Sequence, residues 1–110
     1  MVLLQVKVPL LFLDGPTQVQ IGYLGMEFVP ASKLYVNESK NAKLHCRAVD
    51  GVPSTYWYKW EHNGKEVRGG EDGTLDLTNV NRSQDGNYSC SAFNIMGRAS
   101  GYMQIVVQCK

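Results

Sequence analysis

From residue 33 onward, polar and apolar side chains alternate with a period of two, the pattern of half-buried β-strands. In Lys43-Leu44-His45-Cys46-Arg47-Ala48, the residues Leu44, Cys46 and Ala48 fall on one face. Tyr56 to Trp60 is a run of strong β-formers. Asn63-Gly64 is a two-residue hairpin signal, with Lys65-Glu66-Val67 returning from it. Leu75 and Leu77 alternate in the next strand, Tyr88, Cys90 and Ala92 in another, and Met103, Ile105 and Val107 in the last. Turn signals separate them at Asp50–Ser54, Gly69–Gly73, Asn81–Gly86 and Met96-Gly97. No stretch keeps a helical 3.6 period. Short strands with frequent turns predict an all-β sandwich.

Composition narrows the function. A chain of 110 residues makes one domain. With 11 basic and 10 acidic side chains, the net charge of +1 gives no electrostatic case for nucleic acid or an anionic membrane. No apolar run approaches the roughly 20 residues of a membrane helix. Three cysteines cannot all pair within the chain, and none sits at zinc spacing. A Cys46–Cys90 pair with Cys109 left over fits better than a metal site. Cys109 is left open between pairing with a further domain, pairing with another molecule, and no pairing role at the chain end. His62, Glu71 and Asp72 fall in turns and read as solvated loop residues. Arg98 reads the same way, against the alternative of an acidic ligand. No serine or cysteine triad and no phosphate loop can be assembled, so no enzyme, metal or cofactor is expected.

The order of these residues is specific. Cys46 is followed by Trp60, then Leu75-Asp76-Leu77, then Asp85-Gly86-Asn87-Tyr88-Ser89-Cys90, continuing Ser91-Ala92-Phe93-Asn94-Ile95-Met96-Gly97. Over roughly residues 33–108 this resembles the immunoglobulin superfamily, in its intermediate or C2-like sets. The resemblance implies a two-sheet sandwich with Cys46 and Cys90 joined between the sheets. Trp60 would pack on that disulfide, with Trp57 the rival for the place. Tyr88 would form a tyrosine corner. Leu44, Leu77 and Ile105 complete the expected core. The short gap between Cys46 and Cys90 leaves room for strands B, C, C′ or D, E and F, but not C″, unlike a variable-type domain.

The resemblance also implies a function. It points to an extracellular module of a cell-surface adhesion or recognition protein, binding a protein partner non-catalytically, homophilic or heterophilic, beside neighbouring Ig-like domains. The alternative is a structural spacer in a matrix or muscle protein. Three N-x-S sequons, at Asn37, Asn81 and Asn87, favour the secretory pathway. With Trp60 inward, parity turns Trp57 and Lys59 outward. Phe93, Tyr102, Gln104 and Val106 share that side, and Trp57, Lys59, Phe93 and Tyr102 are the candidate partner-binding face. The bland alternative is packing under the N-terminal segment or a neighbouring domain.

The N-terminal third is less determined. Residues 1–14 are mostly apolar and read as a leader, as the last strand of a preceding domain, or as a strand added to this one. The Ig-like domain would then span 15–110. Asp14-Gly15-Pro16-Thr17-Gln18-Val19-Gln20-Ile21 resembles the opening of a domain in multi-Ig receptors such as the siglec and carcinoembryonic-antigen families. Glu27-Phe28-Val29-Pro30 is the alternative first strand, with Pro30 marking an edge.

Overall fold

Nine strands make two sheets among residues 15–49, 51 and 56–109, which the computed structural model describes. All three readings of residues 1–14, and the Asp50–Ser54 turn apart from Gly51, fall outside that set. The strands are β1 (Gln18–Leu24), β2 (Phe28–Pro30), β3 (Lys33–Asn37), β4 (Ala42–Val49), β5 (Trp57–His62), β6 (Lys65–Val67), β7 (Thr74–Leu77), β8 (Gly86–Asn94) and β9 (Gly97–Gln108). One sheet runs β2-β1-β4-β7 and the other β3-β9-β8-β5-β6. The expected all-β sandwich is the observed fold.

The first strand is β1, which pairs antiparallel with β4 from Gln18↔Val49 to Tyr23↔Leu44. The alternative at Glu27–Pro30 is corrected: Phe28–Pro30 folds back on β1 as a short outer strand, with Phe28 opposite Leu24. Pro30 is tolerated there because an edge strand needs no donor on its free side. The chain then crosses sheets, and β3 runs parallel to β9. Of the strands C′ and D left open by the sequence, β6 supplies C′. No D strand occurs among the described residues, since β7 begins soon after the Gly69–Gly73 turn.

The hairpin between β5 and β6 has the backbone that Asn-Gly predicts. Asn63 and Gly64 both have positive φ, 51° and 84°, which matches the twist of the flanking strands. The hairpin is also tied to β8. Asn63 N–H donates to the Asn87 carbonyl at 2.7 Å, and Asn87 N–H donates to Asn63 Oδ1 at 2.9 Å.

The core lies between the sheets. Leu44, Cys46, Trp60, Leu77, Tyr88, Cys90 and Ile105 are all buried in it. The Cys46–Cys90 disulfide joins β4 to β8, and so one sheet to the other. Trp60 is fully buried, and its indole N–H donates to the Gly70 carbonyl at 3.2 Å. Gly70 has φ 76°, and a Cβ there would stand 2.4 Å from Trp60 Cδ1. The turn after β6 is therefore glycine because the tryptophan occupies the space.

Tyr88 forms the corner. Its hydroxyl donates to the Gln84 carbonyl at 2.6 Å, at the end of a single 3-10 turn, Arg82–Gln84, capped by Asn81. Burial, and then the nearby Asp85 carboxylate, push the Tyr88 phenol up to about 12. The phenolate is thus disfavoured in the folded chain relative to the unfolded one. The corner's contribution is complete below the ordinary phenol pKa of about 10 and is lost as pH rises through the folded value. Urea unfolding from about pH 10 to about pH 12 should show wild type losing stability more steeply than Tyr88→Phe. Parallel slopes would contradict this.

Candidate functional site

The two outer faces of the sandwich differ in how their side chains are used. On the four-stranded sheet the polar groups satisfy one another. Arg47 Nε donates to Gln20 Oε1 at 2.8 Å, and its guanidinium lies 4.8 Å from the Phe28 ring centre. Lys43 pairs with Asp76 at 3.7 Å, and His45 Nδ1 lies 2.9 Å from Thr74 Oγ1. Desolvation, and then the Arg47 charge, hold the His45 imidazolium below its usual pKa.

The five-stranded sheet instead presents aromatic rings to solvent. Trp57, Phe93 and Arg98 form one cross-strand row, because Trp57 is opposite Phe93 and Phe93 is opposite Arg98. The Trp57 and Phe93 rings stack 5.7 Å apart and nearly parallel, at 5°. Arg98 caps the stack, 5.9 Å from the Phe93 centre. Phe93 is half-buried by this arrangement, while Trp57 remains 50% exposed. Lys59 stands next to the stack and pairs with Glu66 at 3.5 Å. A shallow hollow of about 300 Å³ opens beside Trp57, Lys59 and Phe93.

Tyr102 does not join this cluster. It lies opposite Ser89, four residues along the strand from Arg98, or about 13 Å at the usual rise. Ser91 and Ser100, whose hydroxyls are 2.7 Å apart, occupy the interval. Tyr102 is 70% exposed and borders a separate cleft of about 780 Å³, together with Glu61, Asn63, Asn87 and Ser89. Gln104 is exposed farther along the face, and Val106 is half-buried against Tyr35 of β3.

Several residues take roles that the pattern did not suggest. His62 is not a solvated loop residue. It ends β5, stacks on Tyr88 at 4.4 Å, and its Nε2 lies 2.7 Å from the Asp85 carbonyl. Arg98 belongs to β9 and not to a loop, and counting back across the turn to Phe93 would have found it. Exposed Tyr35, with Lys33 5.8 Å from its ring centre, was legible in the alternation Lys33-Leu34-Tyr35-Val36. Asp72 Oδ1 accepts from Thr74 N–H at 3.0 Å and so closes its turn. Among the described residues no three His, Cys, Asp or Glu side chains come together as a metal site.

The three sequons sit in different settings. Asn37 is exposed at the end of β3. Asn81 is exposed and caps the 3-10 turn, its Oδ1 accepting from Ser83 N–H at 2.9 Å. Asn87 is exposed on β8, on the same outer face as Tyr102. Cys109 is a free, exposed thiol in contact with Arg82.

The model of the immunoglobulin domain family matches residues 27–94, more than half of the chain. The chain belongs to the immunoglobulin domain family. It is similar to the tyrosine-protein kinase-like otk of Drosophila ananassae, 31% identical over 87 residues, which are 72% of this chain and 8% of that protein. Among solved structures, extracellular domains 3–5 of Drosophila OTK align with a TM-score of 0.61 at 24% identity, covering 82% of this chain and 31% of that one. An I-band fragment of titin aligns with a TM-score of 0.63 at 17% identity, over 82% and 33%. These structural likenesses show the immunoglobulin fold and nothing finer. The chain spans 8% of the length of the curated relative, so the kinase-like part of that name carries no activity to this domain.

Proposed function

We propose that this immunoglobulin domain is an extracellular, non-catalytic recognition module of a cell-surface receptor or adhesion protein. It docks a protein partner, a second copy or a different protein, on the outer face of the five-stranded sheet. The observation that carries the reading is the Trp57–Phe93 stack capped by Arg98. A half-exposed indole held flat by a second ring is a rigid apolar anchor that gives up little side-chain entropy on binding. Tryptophan and arginine are also the residue types enriched at interface hot spots. The opposite face, with its polar groups already paired to one another, has less to offer.

The compartment reading rests on the disulfide, the sequons and the extracellular domains named in the OTK structure. The unit is proposed as residues 15–110, of the intermediate type, with 1–14 a leader or the end of a preceding strand. Neighbouring Ig-like domains fit the geometry of the described ends. Gly15 packs against the Gly97 turn at one pole, whereas Cys109 contacts Arg82 of the loop before β8 at the other. That polar separation is also the observation that favours the second reading, a spacer module in a string of domains.

A binding measurement separates the two. The chain, displayed as a soluble oligomer, is titrated on animal cells that carry a partner. Trp57→Ala should weaken binding about 30-fold, the effect of losing a hot-spot residue, with folding unchanged. A spacer predicts no saturable binding at all.

A further inference from the structure

We infer that Asn87 carries an N-linked glycan whose first N-acetylglucosamine lies in the cleft beside Tyr102 and rests on the face of its ring. This depends on the secretory reading above and adds to it a modification site with a built seat. The sequon Asn87-Tyr88-Ser89 lies within β8, where alternation sends Asn87 and Ser89 to the outer face and Tyr88 into the core. Asn87 is exposed, and its backbone is fixed at both N–H and carbonyl by Asn63. The direction of its side chain is therefore set by the sheet. Asn87 lies opposite Gln104, and Ser89 lies opposite Tyr102. Asn87 and Tyr102 are thus diagonal neighbours, with side chains about 7 Å apart.

The cleft between them has the character of a sugar seat. Its volume of about 780 Å³ accommodates a monosaccharide or more. Tyr102 supplies an open aromatic face, and that face attracts the electropositive C–H edges of a pyranose. Glu61, Asn63 and Ser89 supply polar groups along the rim for the hydroxyl and acetamido groups. The separation of Tyr102 from the Trp57 row then has a purpose. The glycan covers one end of the sheet and leaves the Trp57 end open to a partner.

The chemistry balances with the ordinary donor of the secretory pathway, a lipid-pyrophosphate-linked oligosaccharide. Asn87 Nδ2 forms a bond to C1 of the reducing-end N-acetylglucosamine and gives up one proton. The C1–oxygen bond breaks, and the lipid pyrophosphate leaves with its electron pair.

The test uses the whole chain secreted from animal cells behind a secretion signal, with ¹³C-labelled sugars. Site-resolved mass spectrometry should find Asn87 occupied. At least one methine resonance of its first N-acetylglucosamine should be shifted upfield by the ring current of Tyr102. Tyr102→Ala should abolish that shift with occupancy retained, and Tyr102→Phe should keep it. An unoccupied Asn87 beside a glycosylated Asn37 or Asn81 overturns this inference and leaves the secretory reading standing. Absence of glycan at all three overturns this inference as well and takes the sequons away from the secretory reading, which then rests on the disulfide. An occupied Asn87 whose resonances are the same in wild type and Tyr102→Ala overturns the seating on the ring.

Discussion

Replacing Cys46 and Cys90 together by alanine should cost about 4 kcal/mol, a large share of what keeps the domain folded. The disulfide closes a separation of 44 residues, and the chain-entropy relation gives about that figure for a loop of this length. A domain of this size holds only about 5–15 kcal/mol in total. The bond also sits where it matters most, joining β4 of one sheet to β8 of the other beside fully buried Trp60. Its loss removes the side-chain cross-link between the layers and leaves non-covalent packing and the connecting loops to hold them. Urea titrations of the oxidised wild type and the double alanine variant measure the difference. A loss below about 1 kcal/mol would mean that the disulfide is incidental, against the usual cost of removing one from a small secreted domain.

Trp60→Ala should be of similar size. The indole is fully buried and donates to the Gly70 carbonyl. Its removal leaves a cavity between the sheets and takes one of two donors from the Gly70 carbonyl, which keeps the Gly73 N–H at 2.9 Å. Large-to-small changes of this kind cost roughly 4 kcal/mol, or a fall in melting temperature of roughly 20 °C for about 100 residues. Trp57→Ala, three residues earlier on the same strand, should cost only about 1 kcal/mol, since it gives up a half-exposed ring and its stack on Phe93 but opens no cavity in the core. Thermal melts of the two variants side by side carry the test. Equal losses would mean that the two tryptophans had not been divided between core and surface as parity demands.

That division was the most legible part of the fold. Alternation placed Leu44, Leu77, Tyr88 and Ile105 inward and Trp57 and Lys59 outward, because a strand with one wet face leaves a period-two record in the chain. The Asn63-Gly64 turn was equally readable, since few residue pairs accept positive φ twice in succession. The region before Cys46 was not. Two candidate first strands compete there, and β1 on β4 takes the place while Phe28–Pro30 becomes the outer strand β2 folded back on β1. Nothing local distinguishes a first strand from a hairpin return when each is short and half-apolar.

The face itself was legible only as a list. Parity put Trp57, Phe93 and Tyr102 on one side of the sheet, but it does not fix the register between strands. Register separates Tyr102 from the other two by two serine-bearing steps and brings Arg98 onto Phe93. His62 was missed for the same reason. Its stacking on Tyr88 depends on which residues lie opposite across β5 and β8, and a single strand carries no trace of that.

We propose that recognition uses the Trp57 face of the sandwich and not its opposite. Binding of the oligomerised chain to partner-bearing cells, compared between Trp57→Ala on one sheet and Lys43→Ala on the other, tests it most directly. Docking on the Trp57 face gives a loss of about 30-fold for Trp57→Ala and no change for Lys43→Ala. Undiminished binding by Trp57→Ala, or a loss confined to Lys43→Ala, would contradict it.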